Sequence, residues 1–358
     1  MSAAPVNATS LAAAPKVLLH DHLDGGLRPL TVLELADEVG YRELPTGDPG
    51  ELGRWFRESA DSGSLERYLL TFTHTVAVLQ RPEAVQRVAR ECALDLAADG
   101  VVYAEVRMAP ELLTAMPLDA AVEAMLDGYA QGSREAAAAG RPIVVGTLLC
   151  AMRQTDRWVE VAEAVVRHRD AGVVGFDLAG PEDGFPPDRI PEAIAVLDRA
   201  GAHRTVHAGE AAGIGSIRAA LDGAGAERLG HGVRIADEVP VDGALGDLAK
   251  RVLDEQVPLE VAPLSNVQTG AYRSLADHPV DRLHRMGFAV TVNTDNRLMS
   301  GVSATSELAD VAGTFGWDWD DVQTVTERAL TGAFAEPGVR ARLLADVVRP
   351  GYAALRRA

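Results

Sequence analysis

The chain has 358 residues, 47% of them hydrophobic and 24% charged, which are ordinary values for a water-soluble globular protein. No apolar run approaches the ~18 residues of a membrane span. With 34 basic against 52 acidic residues the formal charge is −18, a balance that repels nucleic-acid phosphates and anionic membrane surfaces.

Residues 1–15 carry no basic residue, and their apolar positions are interrupted by Pro, Asn, Thr and Ser, so they read as a disordered tail and not as a signal peptide. The two cysteines, Cys92 and Cys150, form neither a CxxC pair nor a disulfide framework, which fits a reducing cytoplasm. Residues 16–358 are expected to form one domain, because no Pro/Ser linker divides them.

The first element is KVLLHDH (16–22), an apolar strand that turns polar at its end. Alternation along a strand puts His20 and His22 on one face and Asp21 on the other. Two converging imidazoles suit a shared cation, although a hydrogen-bonded pair at a strand end is the plainer reading. The gap that follows, from Leu23 to Asp99, is far longer than one crossover helix needs. Within it Leu65, Tyr68, Leu69 and Phe72 fall at i, i+3, i+4 and i+7, the apolar face of a helix that either packs on a wall or covers a site.

Seven further strands are predicted: GVVYAEVRM (100–108), PIVVGTLLCAM (142–152), VVGFDLAG (173–180), HRTVHAGE (203–210), RLGHGVRI (228–235), PLEVAPLSN (258–266) and AVTVNTDN (289–296). Eight strands alternating with amphipathic helices point to an α/β fold, a single (β/α)8 TIM barrel with an inserted helical lid after the first strand; a doubly wound sheet gives a similar local pattern.

In such a barrel the C-terminal strand ends share one rim, where residues distant in sequence meet. His20, His22, His207 and His231 stand at or near those ends, and Asp295 is the carboxylate that can join them. Three imidazoles and a carboxylate suit Zn²⁺ with a position left for water. Glu210 is either a helix-terminal carboxylate or, beside a metal, a proton shuttle. His231, flanked by glycines, is a fourth ligand or a base that orients water. His203 begins its strand and belongs to the opposite face, while His74, His168, His278 and His284 read as surface positions. The fourth strand offers no bridging carboxylate among Leu178, Ala179 and Gly180, which favours one metal over two, and the H-x-E with P-C-x-x-C site of cytidine deaminases is absent.

Taken in order, HDHLDGG, FDLAGPE, TVHAGE, LGHGVRI, PLSNVQTG and VTVNTDN resemble the adenosine deaminase family of the amidohydrolase superfamily, over nearly the whole chain. The resemblance implies one Zn²⁺ per chain held by His20, His22, His207 and Asp295. It implies that Glu210 hands a proton to purine N1, that His231 orients the attacking water and that Asp295 also serves the reaction. It further places Asp24 near the ribose, Gly180 by its backbone near N3, and Leu65, Tyr68, Leu69 and Phe72 over the pocket, with His22 and Asn296 also toward the substrate.

The implied reaction is hydrolysis of adenosine, and of 2′-deoxyadenosine, to inosine and ammonia; the alternative is a modified adenosine such as aminodeoxyfutalosine, 5′-methylthioadenosine or S-adenosylhomocysteine. The expected partners are a small purine nucleoside and water, with no nucleic acid and no membrane. Two departures from the family pattern are visible. Ala262-Pro263 replaces a Cys-Pro pair, and Asn296 follows Asp295 where many members have a second Asp.

Overall fold

The structure is a computed structural model that describes residues 5–240 and 243–357. Eight parallel strands form: β1 (Lys16–His22), β2 (Val101–Met108), β3 (Val144–Met152), β4 (Val173–Ala179), β5 (Thr205–Ala208), β6 (Arg228–His231), β7 (Leu259–Val261) and β8 (Val290–Val292). They pair in chain order as two four-stranded sheets. Single bridges, Phe176 to Arg204 and Asp21 to Asp295, join the edges of the sheets, giving the (β/α)8 arrangement expected of the alternating pattern.

The strands of the second half are shorter than their apolar runs suggest. After β6 the chain turns at Gly232 (φ 67°), and the apolar residues Val233 and Ile235 lie in the six-residue 3₁₀ segment Val233–Glu238. After β7, Pro263 occupies the first helical position of Pro263–Gln268, where its missing N–H costs nothing.

Five helices fill the interval between β1 and β2: Pro29–Val39, Pro49–Ala60, Leu65–Leu70, Phe72–Val78 and Pro82–Ala98. The stripe from Leu65 to Phe72 is divided between two of them at Thr71, which keeps helical dihedrals (φ −63°, ψ −29°) and acts as a bend. Residues 5–15, expected to be a disordered tail, differ from that reading. Asn7 caps a single turn, Ala8–Leu11, Leu11 and Ala14 are buried, and the Lys16 ammonium donates to both of their carbonyls. Residues 1–4 of that tail lie outside the described residues. Among the described residues no helix is long and apolar enough to cross a membrane.

The interior of the barrel is charged as well as apolar. Glu105 and Arg107, two apart on β2, share its inward face and are fully buried, as are Asp177 and Glu260. Arg107 Nη1 donates to Asp177 Oδ2 (3.1 Å) and Nη2 to Glu260 Oε2 (2.8 Å). Arg228 Nε donates to Glu260 Oε1 (2.7 Å) and Nη2 to Glu105 Oε2 (2.5 Å). Buried charges survive only when paired in this way, and each pair links two or more strands across the barrel.

Candidate active site

The histidine faces read from β1 are as expected. Asp21 points outward, accepting from Thr294 Oγ1 (2.7 Å) and Arg297 Nε (2.9 Å), while His20 and His22 point to the rim. Nitrogen and oxygen atoms of His20, His207, His231 and Asp295 lie within 4.8 Å of one another, and all four residues are buried. His22 completes the group: its Nε2 is 3.3 Å from His207 Nε2 and 3.4 Å from Asp295 Oδ1.

The second nitrogen of each ring tells the rings apart. His20 Nδ1 lies 3.0 Å from Glu260 Oε2, and His207 Nδ1 lies 3.1 Å from Asp177 Oδ1. A carboxylate can only accept, so each Nδ1 carries the proton and each Nε2 turns a lone pair inward, the arrangement found behind metal-ligating histidines. His20 Nε2 is buried and faces Asp295 Oδ1, 3.2 Å away. His231 is held differently: Asn266 Nδ2 donates to its Nδ1 (3.0 Å).

Charge bears on the same question. The carboxylates Glu105, Glu260 and Asp177 are paired with the guanidinium groups of Arg107 and Arg228, while Asp295 meets the imidazoles of His20 and His22. Burial opposes ionisation of Glu260, but Arg107 and Arg228 hold its carboxyl well below the usual range. The donor set, with a carboxylate behind His20 and another behind His207, fits one divalent cation of the zinc type.

Glu210 follows β5 by two residues and lies at the edge of this cluster. Its Oε1 accepts from Thr269 Oγ1 (3.0 Å), and its Oε2 is 3.5 Å from His231 Nε2. Burial, then the charges of Asp295 and Glu182, push its carboxyl well above the ordinary range, toward the protonated form. Its loop is fixed by Glu182, whose carboxylate accepts four backbone N–H groups, those of Gly209 (2.5 Å), Glu210 (3.0 Å), Ala211 (2.7 Å) and Ala212 (2.8 Å). Arg153, also buried, donates to the carbonyls of Phe185 and His207 beside it.

A cavity of about 760 Å³ opens over the cluster, lined by the stripe Leu65, Tyr68, Leu69 and Phe72 on one side and by His22, Asp24, Gly180, His207, Glu210, His231, Asp295 and Asn296 on the other. Its volume suits a small organic ligand. Every site residue named from the sequence therefore reaches one space or its border, His20 lying just beneath it. Burial raises the Asp24 carboxyl to about 7, and its Oδ1 has no partner. The Asn296 side-chain oxygen is likewise unpartnered, and it presses on Gly25, where a Cβ would meet it at 2.0 Å; the first glycine of HLDGG leaves room for the Asn296 side chain. Gly180 has φ 100°, a conformation that keeps its backbone at the cavity surface free of a side chain.

Backbone strain marks the same place. Among the described residues three non-glycines have positive φ, and two of them are His231 (63°) and Asp295 (54°). A larger cavity, about 1060 Å³, lies at the opposite end of the barrel beside His203, Arg228 and Phe334 and contains none of the clustered groups.

Two of the histidines read as surface positions differ. His278 and His284 are buried, His278 between Asn266 and Tyr272 and His284 against Trp317 and Asp321. Sequence reading also passed over Asp177, Glu182, Glu260 and Asn266. A charged residue inside an apolar strand run, as in VGFDL or PLEVA, is the signal that could have found two of them.

The family model described as Adenosine deaminase matches residues 15–350. An adenosine deaminase of Mycobacteroides abscessus is 53% identical over 98% of this chain and 99% of its own. Adenosine deaminase 1 of Streptomyces coelicolor is 54% identical over 96% of this chain and 88% of its own. Among solved structures, an adenine deaminase from Arthrobacter aurescens superposes with a TM-score of 0.83 at 27% identity, covering 96% of this chain and 100% of that one. An amidohydrolase from Burkholderia ambifaria with bound Zn superposes at 0.84 with 22% identity, covering 99% and 95%, which bears on the fold alone.

Proposed function

The chain belongs to the adenosine deaminase family, and we propose that it is a zinc-dependent enzyme hydrolysing adenosine, and 2′-deoxyadenosine, to the inosine nucleoside and ammonia. The observation that carries this reading is the junction of a buried Glu210, its carboxyl pushed toward the protonated form, with the cluster of His20, His22, His207 and Asp295 at the floor of one cavity.

His20, His22, His207 and Asp295 would hold one zinc ion per chain, which when bound lowers the pKa of water to ~7 and so supplies a nucleophile at neutral pH. Glu210 gives its proton to N1 of the purine, drawing electrons from C6 so that a water oxygen adds there. The C6–N bond then breaks: of the two protons of the attacking water, one goes to the amine, which leaves as ammonia, and the other returns to Glu210, while the oxygen stays on C6 as the carbonyl. His231 orients the incoming oxygen. Asp24 faces the ribose, the backbone of Gly180 faces N3, and the Asn296 amide donates to N7. Leu65, Tyr68, Leu69 and Phe72 cover the ring and keep bulk water from these polar contacts. The two buried, unpaired cysteines suit action in the cytoplasm.

The test is a panel of 6-aminopurines (adenosine, 2′-deoxyadenosine, 5′-methylthioadenosine, S-adenosylhomocysteine, aminodeoxyfutalosine and free adenine) ranked by kcat/KM. Adenosine at the head supports the reading; a 5′-modified nucleoside at the head replaces it, and no turnover of any member removes it.

A further inference from the structure

His231 could serve as a metal ligand or as a group that orients water, and the side chains behind it decide between the two. The backbone N–H of Val280 donates to His278 Nδ1 (3.1 Å). A main-chain N–H has no other role, so Nδ1 of His278 is bare and its Nε2 carries the proton. That Nε2 lies 3.3 Å from Asn266 Oδ1. With its oxygen so engaged, the Asn266 amide turns Nδ2 toward His231 Nδ1, 3.0 Å away. An NH₂ group only donates, so His231 Nδ1 accepts, and the neutral ring holds its proton on Nε2.

We infer that Val280 N–H, His278 and Asn266 form a buried relay that locks His231 in its Nε2–H tautomer, making it a hydrogen-bond donor to the incoming oxygen and neither a metal ligand nor a base. Asn266 and His278 are thereby positioning residues for this reaction, a role that rests on the function proposed above.

The relay is well isolated. Asn266 is fully buried, His278 is 3% exposed and His231 1%. The Asn266 backbone is itself tied down, its N–H donating to Ala262 O (2.9 Å) and its carbonyl accepting from Tyr272 N (3.2 Å). The Tyr272 ring packs edge-on against His278 at 4.9 Å. Burial lowers His278 to about 3, so it enters the relay neutral at any working pH. The contrast with His20 and His207 is chemical: a carboxylate behind a ring leaves its Nε2 bare, whereas an amide N–H behind His231 leaves its Nε2 protonated.

The experiment uses the zinc-loaded enzyme labelled with ¹⁵N-histidine, in which long-range ¹⁵N–¹H correlations distinguish the bare from the protonated nitrogen of each ring; His231→Gln identifies the His231 signals. The expected wild-type pattern is Nε2 protonated and Nδ1 bare. In Asn266→Asp the group behind His231 can only accept, so the proton should move to Nδ1, with kcat falling by ~10²-fold or more, as for other wrong-tautomer catalytic histidines. Zinc content and KM should stay near wild type.

A bare Nε2 on His231 in the wild type overturns the inference. So does an Asn266→Asp enzyme with unchanged kcat, or one that has lost its zinc. Should Asn266→Asp fail to fold, His278→Gln and His278→Leu decide: the glutamine can still donate to Asn266 Oδ1 and should preserve the tautomer and rate, the leucine neither, and equal behaviour of the two overturns the relay. The tautomer assignment needs no turnover, so an enzyme inactive on every purine would refute the proposed function while leaving the relay itself to be read from the spectra.

Discussion

The two ends of the barrel handle buried charge in opposite ways. At the end where the strands begin, Arg228 is satisfied on all three nitrogens, by Glu105, Glu260 and the carbonyl of Gly332, and its guanidinium lies 3.6 Å above the Phe334 ring. Glu105 is completed by Tyr103 Oη (2.8 Å) and Phe334 N (2.6 Å). At the end where the strands finish, Asp24 Oδ1 and Asn296 Oδ1 are buried without partners, and two residues sit in left-handed backbone. A satisfied network stabilises and rigidifies, whereas an unsatisfied one costs about 1–3 kcal/mol per group and persists only where something else completes it. Burial of polar groups by itself is therefore a poor marker of function.

That contrast can be broken most severely at Glu210. Glu210→Gln fills the same space and keeps the metal, but it cannot transfer a proton, so the rate should fall by ~10²–10⁴-fold with zinc content unchanged by metal analysis. Below roughly tenfold, the shuttle role is lost. At the other end, Arg228→Met should cost about 3–5 kcal/mol in denaturant unfolding, because Glu105 and Glu260 are left buried and unpaired, while kcat of the surviving folded enzyme changes little. A matching collapse of kcat would mean the two ends are not independent.

Phe72→Ala sharpens the comparison on the cavity wall. If the stripe covers substrate, KM for adenosine rises more than stability falls; a plain core contact would instead lose about 3–5 kcal/mol of stability and leave KM alone. Phe72 is only partly buried, which favours the first outcome. The smallest expected effect is at Asn296, where Asn296→Ala should cost about 1–3 kcal/mol in kcat/KM for adenosine, the penalty for leaving N7 without its donor. With 7-deazaadenosine, which lacks the acceptor, the loss should be markedly smaller; equal losses would assign Asn296 to holding Asp295 in place.

Much of this site was legible in the sequence because its parts are local. HDH puts two imidazoles on one face of a strand whatever the rest of the chain does, and Glu210 lies three residues from His207. The strands of the first half were readable to within two residues, since β1 to β4 are seven to nine residues long and their mainly apolar runs coincide with the backbone pairing. Those of the second half were read too long, because Gly232 and Pro263 stop the backbone pairing while the apolar pattern runs on into short helical turns. The groups behind the histidines were not legible at all. Glu260 meets His20 across 240 positions and Asp177 meets His207 across 30, pairings that exist only once the strands are side by side. His278 looked like a loop residue because nothing local shows that its ring turns inward toward Asn266.

The left-handed backbone at His231 and Asp295 sets this enzyme against laboratory evolution for robustness. An L-residue with a Cβ pays about 1–2 kcal/mol for that conformation, and glycine pays almost nothing. In the metal-free chain, His231→Gly and Asp295→Gly also remove buried polar groups. Libraries screened only for melting temperature should therefore accumulate changes at these two positions, and their hardiest members should be the ones that no longer turn over substrate.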